Sequence, residues 1–131
     1  MKNSILNECL NKALKLNPRH PEMSCYHHFS FIVQGNKIIE WATNRGNGAK
    51  PLIGYGSWQK LHSENCAYFR AKGLLDKHKS FDTVNIRLTK NGDLKLSRPC
   101  RCCVAFLRFL GCKTVWFTTE LGFAKLHINK G

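Results

Sequence analysis

Two short clusters constrain this 131-residue chain more than any other feature: His62-Ser63-Glu64 and Pro99-Cys100-Arg101-Cys102-Cys103. Each opens a stretch with helical periodicity, and a strand-like run lies between them. Imidazole nitrogen and thiolate sulfur are zinc donors, and a Cys-x-x-Cys spacing puts two sulfurs on one face of a helical turn. A fold that uses both clusters must bring two helix starts together. One imidazole and two thiolates would then fill three tetrahedral positions and leave the fourth for water, as a catalytic metal requires. The expected metal ligands are His62, Cys100 and Cys103. Both helix starts would aim partial positive charge at the site, which favours the thiolates and hydroxide.

Glu64 stands two residues beyond His62 and is expected to carry protons rather than to coordinate. It would take a proton from the water, pass it to the ring nitrogen beside the attacked carbon and help the amino group leave as ammonia. Together the clusters read H-x-E…P-C-x-x-C, the pattern of zinc deaminases that attack C4 of cytosine or C6 of adenine. Each cluster also has a plainer reading. H-x-E is common at solvated helix starts, and C-x-x-C can close a structural zinc site with two further ligands. Their order, their helix-start positions and Pro99 favour the catalytic reading. Cys102 is a rival ligand through a C-x-C spacing, although residues two apart do not share a helix face. Cys66 falls on the face of His62, where a small buried thiol is its ordinary role. Cys9, Cys25 and Cys112 read as core or surface thiols.

The remaining elements follow in order. Residues 4–16 place Leu6, Leu10, Ala13 and Leu14 on one helical face, and Pro18 and Pro21 stop the pattern. Strands are expected at about 27–34 and 37–43, joined through Gly35-Asn36 in a tight hairpin. Residues 44–60 read as a Gly- and Asn-rich loop. A helix is expected from about 62 to 76, weakened at Gly73, then a strand at 82–89 in which Val84, Ile86 and Leu88 alternate with polar residues. Asn91-Gly92 marks a turn. A second helix, from about 100 to 110, has Pro99 in its first turn and ends at Gly111. Strands at Thr114–Thr119 and Phe123–Ile128 are linked too tightly for a crossover helix, so they should pair antiparallel. Of Trp116 and Phe117, at least one should face inward.

The length suits one domain, residues 1–131, with one core. No stretch approaches the roughly 20 apolar residues of a membrane span, and the first residues carry no export signal, so an intracellular (cytoplasmic) protein with reduced thiols is expected. Lys plus Arg number 21 against 8 Asp plus Glu, a net charge of +13 spread along the chain. Solubility alone usually takes a net charge of about 2–8, so a polyanion, nucleic acid first, is the expected partner. A generic solubilising charge is the bland alternative.

At the clusters named above, the chain resembles the cytidine deaminase-like superfamily. That group includes free nucleoside and nucleotide deaminases, tRNA adenosine deaminases and polynucleotide cytosine deaminases such as the APOBEC family. The resemblance runs from about residue 27 to 128, with its specific motifs confined to about ten positions. It implies an α/β, three-layer fold: a mixed five-stranded sheet flanked by helices, with both zinc-bearing helices on one face and the last two strands antiparallel. It also implies one catalytic Zn2+ with bound water. Asn44 stands where such a fold often touches the sugar of the target nucleotide, and a plain loop turn is the alternative there. The antiparallel end pair looks like the cytidine deaminase and bacterial-toxin branches rather than those with a helix between the last strands.

The charge favours a polymeric substrate, which needs a basic groove and aromatic platforms. Backbone contacts are expected from Arg45, Lys50, Lys60, Arg98 and Arg101, and stacking from Tyr26, His27, His28, Tyr55 and Trp58. Burial in the core is the competing fate of any one aromatic. Ser63, between ligand and proton carrier, joins the substrate-binding set. The expected activity is conversion of cytosine to uracil in single-stranded DNA. Deamination of free cytidine or deoxycytidylate is the alternative, followed by tRNA adenosine deamination and a non-catalytic zinc module that binds nucleic acid.

Overall fold

The computed structural model describes residues 1–17, 26–43 and 63–129, without the side chains of Tyr26, His27 and residues 63–66. The elements run α1 (Asn3–Leu16), β1 (Tyr26–Gln34), β2 (Lys37–Thr43), α2 (Ser63–Ala71), β3 (Phe81–Thr89), β4 (Leu94–Lys95), α3 (Arg101–Phe109), β5 (Cys112–Thr119) and β6 (Gly122–His127). The sheet has the order β2-β1-β3-β5-β6, with β4 paired to β3. The β3–β5 pair is parallel, and the other pairs are antiparallel. The last two strands pair antiparallel, as their short link requires. Five strands were expected, and six are found among the described residues. The extra one, β4, is two residues long, too short to show a hydrophobic period.

Period-two alternation splits the strands' side chains between two cores. On one face Phe29, Phe31, Val33, Val84, Ile86 and Leu88 meet Ile5, Leu6, Cys9 and Ala13 of α1. On the other, Ile32, Phe81 and Val115 meet Ala67 and Ala71 of α2 and Leu107 of α3. The result is a sheet between two helical layers, with α2 and α3 together on one side. Fully burying a Phe or Leu contributes roughly 1.5–3 kcal/mol, so both layers are held mainly by these contacts. Ala67 and Ala71 have no exposed surface; a methyl side chain lets α2 lie close to the sheet.

Three features of the helices differ from the sequence reading. The buried stripe of α1 contains Ile5 and Cys9, while Leu14 is exposed; both stripes satisfy the i, i+3, i+4 spacing, and packing selects the one that includes the thiol. The helix α2 ends at Ala71, not near 76. Beyond it Leu74 N donates to Ala71 O. Gln34 then takes the chain away, accepting from Asp76 N at 2.8 Å and donating to Asp76 O at 3.0 Å. Finally, Cys100 is the N-cap of α3, so Pro99 precedes the cap instead of occupying the first turn. The Gly35-Asn36 hairpin is as expected, with φ of 60° at both residues, the left-handed pair that such two-residue turns demand. Among the described residues no helix is long and apolar enough to cross a membrane.

Candidate active site

The helix starts lie at one end of the sheet. The C-terminal ends of α2 and α3, through Lys72, Leu75, Arg108 and Gly111, line one cleft together with Phe81, where β3 begins. Their N-termini therefore sit at the opposite end, where β3 and β5 finish. Crevices at the carboxyl ends of parallel strands are the usual ligand sites of α/β sheets.

At that end the thiols of Cys100 and Cys103 converge, with sulfurs 3.3 Å apart. The Cys100 backbone is extended and its Sγ accepts from Cys103 N at 3.4 Å, the sulfur counterpart of an N-cap oxygen. Cys103 is buried, while Cys100 and Cys102 are exposed. In a tetrahedral site with Zn–S near 2.3 Å, two sulfurs stand roughly 3.8 Å apart, so this pair is about half an ångström from the spacing a zinc ion would impose. The donor set fits zinc. No carboxylate stands in the first turn of α3, which leaves the positive end of the helix dipole to the sulfurs. Ser63 is the first residue of α2 and Glu64 follows it. His62, one position earlier, lies outside the described residues, and among those described no cluster of three metal-ligating side chains forms.

The segment leading to Cys100 is held by a buried polar bridge. Beyond Asn85 and Phe117 the parallel β3–β5 ladder stops, and Ser97 enters the gap. Its hydroxyl accepts from Thr118 N at 2.8 Å and lies 2.8 Å from Asn85 O, to which it donates. The Ser97 N–H in turn donates to Thr118 O at 2.9 Å. Thr118 Oγ1 repeats the device, accepting from Arg87 N at 3.1 Å and donating to Lys95 O at 2.7 Å. Asn85 Oδ1 accepts from Ser30 Oγ at 2.7 Å. Two strands are thus parted at their site end and rejoined through side chains, and Cys100 follows three residues after the bridge.

The other expected site residues fall as follows. Arg98 and Arg101 are exposed and line a hollow of about 350 Å³ with Pro99. His28 is half-buried and pairs across the sheet with Arg87, on the α2 and α3 face shared by Ser30 and Ile32. Tyr26 and His27 open β1. Asn44, Arg45, Lys50, Tyr55, Trp58 and Lys60 lie outside the described residues. Sequence reasoning missed Ser30, Asn85, Arg87, Ser97 and Thr118. No local pattern marks them: Thr83, Asn85 and Arg87 alternate with Val84, Ile86 and Leu88 as the solvent side of a half-exposed strand does.

Other titratable groups are set apart from this chemistry. Burial pushes the Cys9 and Cys112 thiols up to about 12, so both stay protonated at neutral pH and neither is a ready thiolate. Burial also raises Asp82, against the opposing pull of the amino terminus and Lys113.

No family model matches the sequence, and no curated protein matches it. The three-dimensional arrangement does have counterparts. The dCMP deaminase of the cyanophage S-TIM5, in its apo form, superposes with a TM-score of 0.56 at 16% identity, over 89% of this chain and 84% of that one. Its complex with dCMP and dUMP gives a TM-score of 0.57 at 15% identity, over 89% and 82%. The cytidine deaminase of Mycobacterium leprae gives 0.56 at 16% identity, over 92% of both chains. The chain has a cytidine deaminase-like fold. The Cys100–Cys103 pair lies at the start of α3, at the end of the sheet where β3 and β5 finish.

Proposed function

We propose that this protein is a zinc-dependent hydrolytic deaminase that converts cytosine to uracil and acts on single-stranded DNA. The observation that carries the reading is the Cys100–Cys103 sulfur pair at the cap of α3, at the same end of the sheet as the start of α2. His62, Cys100 and Cys103 would hold the zinc. When bound, zinc supplies a Lewis acid that renders water nucleophilic near neutral pH. Glu64, in the first turn of α2, takes a proton from the attacking water and delivers it to the ring nitrogen adjacent to C4. It then assists the exocyclic amine, so that cytosine and water give uracil and ammonia. Asn44, Ser63, Trp58 and His28 would receive the nucleotide, and Arg45, Arg98 and Arg101 its phosphates.

The net charge of +13 supports a polymeric substrate. One specific observation favours a second reading, free deoxycytidylate or cytidine: the similar solved structures are a dCMP deaminase and a cytidine deaminase. The test is to incubate zinc-loaded protein with a single-stranded deoxyoligonucleotide, a duplex, an RNA and dCMP, and to measure uracil. Conversion in the single strand is expected. Turnover of dCMP with none in oligomers overturns the polymer reading, and no turnover of any substrate overturns the deaminase. Glu64→Ala should keep its zinc and lose about 10²–10⁴-fold in rate. An active variant would show that the proton carrier is misassigned.

A further inference from the structure

Positive charge on this molecule is organised into a path that starts beside the candidate site. Arg98 and Arg101, flanking Cys100, line the hollow of about 350 Å³ along α3, and Arg108 lines its far end. Arg108 also lines the larger cleft, of about 760 Å³, where α2 and α3 end. The two depressions therefore share a wall. In the cleft Arg108 is joined by Lys72, Lys77, Lys79 and Lys113, with Asp76 as the carboxylate on the lining. Asp76 Oδ1 is occupied by the His78 N–H at 2.9 Å. The ion pair among the described residues joins Lys95 to Glu120 and takes none of these cations, although Lys113 also faces Asp82.

The cleft is also braced. Gln34 holds the turn that carries Lys77 and Lys79, donating to Asp76 O at 3.0 Å and Lys79 O at 3.1 Å. Asn129 Nδ2 ties Arg108 O and Cys112 O at 3.0 and 2.7 Å. The Arg108 guanidinium is anchored by its Nε on Ile128 O at 3.0 Å, which leaves its terminal nitrogens to a ligand. The backbone under the lysines and the Arg108 side chain are thus held in place, which lessens the ordering that binding requires. The nine residues of α3 span about 13 Å, and a stacked strand sets one phosphate about every 3.4 Å, so the path alongside α3 matches about four phosphates.

We infer that the hollow and cleft form one continuous track for the phosphate backbone of a single-stranded nucleic acid whose target base lies at the Cys100 end. The inference rests on the polymer reading and adds to it a direction of travel: away from the site, along α3, to the far end of the sheet. Lys77, Lys79 and Lys113 then contribute to holding the strand although they lie far from the chemistry.

The test compares three full-length proteins binding a fluorescein-labelled single-stranded deoxyoligonucleotide, by anisotropy over a range of salt. They are the wild type, the cleft variant K77E/K79E/K113E, and K2E/K12E/K15E on α1 and its N-cap, which makes the same change in net charge on the opposite face. All three are first checked by circular dichroism, and K77Q/K79Q/K113Q stands in if the reversals perturb folding. Each phosphate that the protein no longer neutralises lowers the slope of log affinity against log salt by about 0.7. The cleft variant should bind more weakly with a slope smaller by about two, while the α1 variant keeps a slope near that of the wild type. Equal weakening in both reversal variants, or none in the cleft variant, overturns the track and leaves the polymer reading standing. Failure of the wild type to bind, or a flat salt response, overturns the polymer reading and the track with it.

Discussion

Replacing Ser97 with Ala isolates the polar bridge that orders the approach to Cys100. The hydroxyl serves two buried backbone groups, Thr118 N and Asn85 O, each at 2.8 Å. Asn85 closes the β3–β5 ladder and Thr118 lies just beyond it, so these two groups are joined through Ser97 and not to each other. Each buried polar group left without a partner costs about 1–3 kcal/mol. The space vacated by one oxygen is too small for a well-held water, which needs at least about 10–15 Å³ and several polar partners. The expected loss is therefore about 2–6 kcal/mol, a large share of the roughly 5–15 kcal/mol available to a folded domain. At about 4 °C per kcal/mol for a chain of this size, the midpoint should fall by about 8–24 °C. Urea and thermal denaturation of metal-free protein, both followed by tryptophan fluorescence, measure the free energy and the midpoint without involving the metal. The exposed Ser80→Ala serves as control and should stay within about 0.5 kcal/mol of the wild type. A Ser97→Ala variant that behaved like that control would show that the bridge carries no structural burden.

Other expectations follow from packing and ionisation. Ala71→Leu should destabilise by about 1–3 kcal/mol in the same assay, because α2 has no room for a larger side chain against the sheet; an unchanged midpoint would place α2 farther out. Alkylation of the native, metal-free protein at neutral pH, read by peptide mass mapping, should modify the exposed Cys100 and Cys102 and spare Cys9 and Cys112. Rapid labelling of Cys112 would contradict its burial. The two buried thiols also set an alkaline limit. Their folded pKa is raised from 9.0 to about 12, so above pH 9.0 the unfolded chain holds fewer protons at these sites. Their contribution is complete below 9.0 and is lost as the pH climbs toward 12. Cys9→Ala should show a shallower alkaline loss of stability than the wild type, and an equal slope would refute the linkage.

The sequence was most legible where one local rule acts alone. Gly35-Asn36 specified its hairpin because few other residue pairs adopt two left-handed conformations in succession. The β1, β3 and β5 strands were visible because their apolar residues keep a period of two. Cys100 and Cys103 were paired ahead of Cys102 by helical spacing, and the structure brings those two sulfurs together. Legibility ended where tertiary contacts choose between equivalent local patterns. The stripe of α1 could be phased on Leu10 and Leu14 or on Ile5 and Cys9, and only the shape of the sheet distinguishes them. Asn85 and Arg87 looked like the wet side of a half-exposed strand, whereas that side lies under the α2 and α3 layer. Ser97 resembled any loop serine, since its function depends on two strands more than ten residues away in either direction. The basic track draws on residues from Lys72 to Lys113, scattered through the chain and joined only by folding.

Zinc stoichiometry, measured by plasma emission on purified wild type, Cys102→Ser and Cys103→Ser, bears most directly on the proposed site. About one zinc per chain is expected in the wild type and in Cys102→Ser, with loss of most of it in Cys103→Ser. A wild type that takes up no zinc, or a Cys103→Ser protein that retains it in full, would contradict a metal centre built on the start of α3.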